Sequence, residues 1–334
     1  MNSPSTILIL GARGRFGQAA ARAFAAAGWR VVAQMRPGGA ALAIAGVRWI
    51  EADPQDTGAL AAAAPDATVV VQALSPEYKH RVWRREVPRL TEAAIAISRR
   101  LRATLMLPAS VYNFGSELPP RLLEDTPQIA DTVKGGLRID SETRIRLATS
   151  DGEMKAVVIR AGDFFGSGSG SWLDLVMAKD LRSGKFTYPG RLDLPHAWAY
   201  LPDLAQAFVR AADARAQLPA FETLHFAGHT VTGMQWREAL TDVAWDNGWL
   251  PANGLRQAYL PWPLLRLFGL VAPTFEALCE MRYLWSRPHQ LVDTRMQRLP
   301  GQQRQTAFAD AVRLALADLG MTTEGEAACN AAAS

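Results

Sequence analysis

Gly11, Gly14 and Gly17, with Arg13 and Arg15 between them, are the residues of this chain whose types and spacing best suit chemistry. Glycine lets a turn pass through φ values closed to other residues and lets backbone N–H groups meet a ligand with no Cβ in the way. A helix opening just after such a turn offers free N–H groups and a positive dipole end to a pyrophosphate. The flanks fit that use. Ile7 to Leu10 is a buried-strand run, and Phe16, Ala20, Ala23, Phe24 and Ala27 share one face of the helix that follows. Strand, glycine turn and helix in this order predict a dinucleotide site, with Gly11 to Gly17 against the phosphates, rather than a bland tight turn. The second strand runs into Arg36, at a place where an acid would accept hydrogen bonds from a free ribose 2′-hydroxyl. The guanidinium groups of Arg36, Arg13 and Arg15 instead suit a 2′-phosphate, so NADP is expected over NAD, with NAD remaining an option. The alternative is three solvated surface arginines.

The elements that must position these residues follow from pattern. Val31 to Arg36 reads as a second strand ended by Pro37-Gly38-Gly39, Val47 to Ile50 as a third, Ala67 to Leu74 as a fourth, and Thr104 to Leu107 as a fifth. Tyr78 to Arg102 is helical despite Pro88. Asp53, after the third strand, either reaches an adenine amino group or holds a turn. Strands alternating with helices imply right-handed βαβ units and a parallel sheet. The fold class expected is therefore α/β, a Rossmann-type doubly wound sheet. Ligands sit beyond the carboxyl ends of its strands, where Gly11, Arg36, Leu74 and Ser110 all fall.

Composition narrows the rest. With 334 residues the chain can bury a large core, and its net charge of +4 is too small and scattered to argue for nucleic acid. The densest basic stretch, arginines 81, 84, 85, 99, 100 and 102, reads as the solvated face of a helix. Cys279 and Cys329 stand far apart, so neither a disulfide framework nor a metal site is indicated. No apolar run reaches membrane-spanning length, and the first strand begins too early for a signal peptide. A soluble, cytoplasmic protein without membrane or nucleic-acid partners is expected, with a homodimer left open.

Four stretches together resemble the extended short-chain dehydrogenase/reductases of the NAD-dependent epimerase/dehydratase kind. The 11-14-17 glycine spacing is that family's. Ser110-Val-Tyr-Asn-Phe-Gly115 is similar to its Ser-x-x-Val-Tyr-Gly stretch, and Val157 to Gly166 to its sixth strand and the turn into the substrate lobe. Ala199-Tyr-Leu-Pro-Asp203-Leu-Ala205 is similar to its Tyr-Val-x-Asp-Val-Ala segment, whose aspartate begins a helix. The resemblance covers about residues 6–227. It implies a dinucleotide domain over 1–165, with 195–228 returning to it. A smaller, mainly helical substrate lobe over 166–194 and 229–321 follows, then a disordered tail over 322–334. Within that lobe Gly166 to Ser171 is flexible, Trp172 to Ser183 reads as a helix, Thr306 to Leu319 as a closing helix, and most tryptophans as core.

The departures bear on mechanism. The family's Tyr-x-x-x-Lys falls here on Lys134-Gly-Gly-Leu-Arg138, in a helix from about Asp131 to Ala148. Spacing i to i+4 aims Lys134 and Arg138 at one spot. Ser110 matches the hydroxyl that holds a substrate oxygen, and Tyr112 is a nearby phenol. Ser110, Lys134, Tyr112 and Arg138 are the catalytic candidates. Lys134 either carries the proton or holds a cofactor ribose or phosphate, and Gly135 and Gly136 favour the second role by leaving the helix start loosely packed. Glu142 pairs with Arg138 or stays solvated. The arginine that holds a nucleotide-sugar diphosphate is replaced by His196. His196, Trp198 and Phe164 are the substrate-pocket candidates, His196 as ligand, proton carrier or satisfied structural histidine. The function expected is NAD(P)-dependent oxidation or epimerisation of a small, non-nucleotide substrate. The alternative is a catalytically degenerate NADP-binding sensor or assembly protein.

Overall fold

Strands rich in valine, isoleucine and leucine, shielded on both faces, build the centre of the molecule, as a parallel sheet between helix layers requires. The computed structural model describes residues 4–322, so most of the expected tail lies outside the described residues. The first half runs β1 (Thr6–Leu10), α1 (Arg15–Ala26), β2 (Arg30–Met35), β3 (Val47–Glu51), α2 (Thr57–Ala63), β4 (Ala67–Gln72), α3 (His80–Leu101), β5 (Thr104–Ala109), β6 (Arg121–Leu122), α4 (Val133–Ala148) and β7 (Lys155–Arg160). Next come β8 (Asp163–Phe165), β9 (Lys185–Tyr188), β10 (His196–Tyr200), α5 (Leu201–Asp213), β11 (Phe221–His225) and β12 (His229–Val231). The chain then continues through α6 (Gly233–Asp246), β13 (Arg256–Tyr259), α7 (Trp262–Gly269), α8 (Pro273–Glu280), β14 (Gln290–Leu291) and α9 (Phe308–Ala317).

Seven parallel strands lie in the order β11-β7-β5-β4-β1-β2-β3. The order reverses between β1 and β4, and that reversal opens the crevice in which such sheets hold ligands. One sheet face is covered by α1 and α5, sealed by Phe16, Phe24, Ala205 and Phe208. The other packs on α3 and α4 through Ile95, Ile97 and Ile145. Helix α3 continues through Pro88, at the loss of one backbone hydrogen bond.

The C-terminal lobe is smaller and mainly helical, with a core of Phe165, Trp198, Trp236, Leu240, Trp285 and Leu316. Asp203, at the start of α5, ties the two parts: its carboxylate accepts from Thr306 N–H at 2.7 Å and Thr306 Oγ1 at 2.8 Å. One expected element differs. Trp172 to Ser183 is not a continuous helix but a widened turn at Leu173–Met177 followed by a tight one at Leu181–Ser183. Ala178 N–H reaches back five residues to the Leu173 carbonyl at 2.7 Å, which ends the helical path. No helix among the described residues is long and apolar enough to cross a membrane.

Candidate active site

The glycine turn is fixed by what stands against it. Gly11 has φ +74°, and a Cβ there would lie 2.9 Å from Leu74 Cδ2. At Gly17 a Cβ would lie 2.4 Å from the Gly11 carbonyl oxygen, so the helix can cross the turn only as glycine. Gln34, buried on β2, pins the turn by accepting from Gly11 N–H at 2.8 Å and donating to the Ala52 carbonyl at 2.7 Å. Gly14 caps α1 without a side-chain acceptor, and no acid occupies the first turn, which leaves the N–H groups open to an anion. Before it lies a cleft of about 620 Å³ bordered by Gly11, Arg13, Gly14, Arg36, Leu74 and Phe16.

The three arginines separate. Arg13 reaches over the turn after β2, where its Nη1 comes within 3.0 Å of a Cβ placed on Gly39, and Arg36 projects from that turn into solvent. Arg15 points the other way, toward the Phe164 and Gly166 carbonyls at 3.4 Å each, so it does not join a 2′-phosphate group. Burial lowers its pKa against the pull of Asp174 and Asp163. Asp53 spends one oxygen on Gln55 N–H at 2.8 Å, the turn-holding alternative, and lines not the cleft but a neighbouring pocket that shares Arg36 and Leu74 with it.

Next to the cleft a second pocket of about 580 Å³ opens between the sheet and the helical lobe. Its walls are mostly apolar, among them Trp83, Trp172, Leu175, Leu265 and Phe275, while Ser110, Tyr112, Arg138 and Asp163 bring polar groups to its lining. Arg15, Ser75, Pro108, Arg138 and Phe164 border both cavities. Tyr78 borders the same pocket. Burial first, with Asp163 adding to it, pushes the Tyr112 phenol well above its ordinary range, and burial with the neighbouring Tyr112 does the same to Tyr78.

Comparison with known proteins agrees with this geometry. Residues 3–95 match the model of the NmrA-like family. None of the curated proteins matches the sequence. Among solved structures, the UDP-Glc/GlcNAc 4-epimerase of Campylobacter jejuni superposes with a TM-score of 0.71 at 15% identity, over 94% of this chain and 98% of the other. The enzyme WbmH of Bordetella bronchiseptica, in complex with NAD+, gives 0.70 at 16% identity over 95% and 98%. The UDP-glucose 4-epimerase of Thermotoga maritima, with UDP-glucose, gives 0.69 at 13% identity over 93% and 97%. The chain shares the fold of these structures.

On the epimerase fold, Lys134 and Arg138 begin from neighbouring turns of α4 and end in different places. The Lys134 ammonium is fully buried, donates to the Ala277 carbonyl at 2.6 Å and to Glu280 Oε2 at 3.2 Å, and sits 4.3 Å from the Tyr78 ring centre. It therefore borders neither cavity, contrary to expectation, and acts as a clip between α4 and α8. Burial lowers its pKa, while Glu280 opposes the shift. The helix start is not loosely packed at Gly135, where a Cβ would lie 2.6 Å from the Tyr112 carbonyl oxygen; only Gly136 is open. Arg138 reaches both cavities, lies 5.0 Å over Trp83, and keeps its Nε without a partner. Glu142 pairs not with Arg138 but with buried Arg160, 2.6 Å from Nη2, and also accepts from Asn113 at 2.8 Å.

The substrate candidates also divide. Phe164 borders both cavities, whereas Trp198 is wholly buried in the lobe's core and cannot meet a ligand. His196 is buried behind Asp163, its Nε2 3.0 Å from Asp163 Oδ2. Sequence reasoning passed over Tyr78, Trp83 and Asp163. Tyr78 stands in the link from β4 to α3 and Trp83 in the first turn of α3, a place where ligands are met; Asp163 directly follows the glycine after β7. Among the described residues no cluster suited to a metal ion is present.

Proposed function

We propose that the chain is an NAD(P)-dependent oxidoreductase or epimerase acting on a small, largely apolar, non-nucleotide substrate. The observation that carries this reading is the shared wall: Arg15, Arg138 and Phe164 border the dinucleotide cleft and the apolar pocket alike. A nicotinamide dinucleotide supplies hydride chemistry when bound. Gly11 to Gly17 and the open N-terminus of α1 would hold its pyrophosphate, and Arg138 its end nearest the pocket. Ser110 and Tyr112 would hydrogen-bond a substrate oxygen. NADP is preferred, because Arg36 and Arg13 flank one turn and neither enters an ion pair among the described residues. Nucleotide sugars are disfavoured, since His196 is turned inward and brings no cation to a diphosphate. The reading is of a cytoplasmic enzyme, monomeric or homodimeric.

The second reading, an NADP-binding sensor or assembly protein without turnover, draws on Lys134, which is committed to Glu280 and leaves the pocket without the family's acid/base pair. Calorimetry with NADPH, NADP+, NADH and NAD+, followed by hydride-transfer assays on apolar ketones and alcohols, tests both. Turnover favours the enzyme and binding without turnover the sensor. Absence of dinucleotide binding overturns both, and micromolar binding of UDP-sugars overturns the non-nucleotide assignment.

A further inference from the structure

His196 is held at both ring nitrogens. Nδ1 lies 3.2 Å from the Leu284 carbonyl, which can only accept, so Nδ1 carries a hydrogen. Nε2 lies 3.0 Å from Asp163 Oδ2, and a ring nitrogen and a carboxylate oxygen at that distance bond only with a proton between them. Rotation out of this arrangement is blocked, because Trp285 stacks on the imidazole at 4.6 Å and His289 packs edge-on at 4.4 Å. The strands beneath are locked as well: a Cβ on Gly162 would lie 2.1 Å from the Ala197 carbonyl oxygen. Asp163 Oδ1 has no hydrogen-bond partner among the described residues, and Asp163 borders the apolar pocket beside Ser110 and Tyr112.

We propose that Asp163 is the proton carrier of this pocket, its Oδ1 turned to the substrate by His196, which acts from behind as a positioning residue. The inference rests on the enzymatic reading above. In the oxidising direction Asp163 Oδ1 takes the hydroxyl proton of a secondary alcohol. The O–H electron pair becomes the C=O π bond, and the carbinol C–H leaves with its pair as hydride to an oxidised nicotinamide dinucleotide. The alcohol is oxidised by two electrons and the dinucleotide reduced by two. The proton shared with His196 stays in place, and the reverse direction returns the other proton to oxygen. Groups facing Asp163 are Arg15 from α1, Tyr78 and Tyr112 from the segments after β4 and β5, Tyr188 from β9, and Tyr283 from the turn after α8. Facing His196 is His289, which burial pushes down to about 3, so it stays neutral beside the pair.

The test uses the full chain, with 1-(2-naphthyl)ethanol and NADP+ as probes and 2-acetonaphthone with NADPH for the reverse. Asp163→Asn is expected to bind NADPH as the wild type does and to lose at least about a hundredfold in kcat, the scale of a general-base contribution. His196→Gln, which still donates to Oδ2, keeps most of KM and shifts the pH profile of kcat. Histidine 15N spectra at neutral pH should show a proton on Nδ1 and a shared one at Nε2, the latter lost in Asp163→Asn. An Asp163→Asn enzyme within threefold of wild type with an unchanged pH profile overturns the proposal. So does a wild type that binds NADPH and turns over neither probe, or a His196 with a free Nε2. A wild type that binds no dinucleotide sinks the enzymatic reading instead, and the spectra still decide the proton sharing.

Discussion

The two cavities are built by different rules. The cleft at the glycine turn is made by backbone within one short stretch: Gly11, Gly14 and Gly17 exclude Cβ atoms at points where Leu74 and the Gly11 carbonyl leave no room. The apolar pocket is made by side chains gathered from residues 78, 83, 110, 112, 138, 163, 172 and 275, with charges buried behind them. A backbone site tolerates little change at a few positions and almost any change elsewhere. A side-chain site spreads its demands, and the residues that support it matter as much as those that line it.

The sharpest way to break that contrast is through the buried support. Glu142→Ala strands the Arg160 guanidinium in the interior and frees Asn113 next to Tyr112, and should lower stability by about 3–5 kcal/mol in denaturant titration. A loss below about 1 kcal/mol would mean that the pair is well hydrated. On the cleft side, Gly17→Val must push the Gly11 carbonyl aside, so NADPH binding by fluorescence quenching should fall a hundredfold or more, about 2.7 kcal/mol. Arg36→Asp should cost NADPH about tenfold, roughly 1.4 kcal/mol, and leave NADH within twofold. Equal loss of both would remove Arg36 from phosphate recognition.

The buried titratable groups set a pH dependence as well. Burial pushes His225 down to about 4, with Arg160 adding to the shift, and His289 down to about 3. Both prefer the neutral form in the fold. Their stabilisation is present above the unfolded histidine value of about 6.5 and is lost as pH falls toward those folded values. Asp293, raised to about 6 by burial, works in the opposite sense: its contribution is present at low pH and fades as pH rises through 6. Chemical denaturation of the wild type should therefore show stability declining from pH 6.5 to 4, and Asp293→Asn should steepen the decline.

How much was legible in the sequence follows the same division. The strands, the glycine turn and the helix at 133–148 were readable because each rests on neighbours a few residues away. Lys134 was not, because the groups that decide its role, Ala277 and Glu280, lie more than 140 residues downstream. Spacing i to i+4 aimed it beside Arg138, but the desolvated ammonium found an acceptor on α8 instead. His196 was left undecided for a similar reason: what it does depends on Asp163, 33 residues earlier, and on the Leu284 carbonyl, 88 later. Trp198 follows strand alternation on β10 into the core, a facing that its neighbours in sequence do not reveal.

The clip between Lys134 and Glu280 has a consequence for synthesis. The two residues are 146 apart, so at about 5–20 residues per second α4 leaves the ribosome roughly 7–30 s before its counter-ion exists. During that interval the sheet already has β1 to β5, yet the ammonium group has no buried acceptor and α4 cannot seat fully. The nascent chain must keep this corner wet until α8 arrives, and a ribosome stalled before residue 277 would hold a half-made molecule with its glycine turn complete and Lys134 still without either of its acceptors.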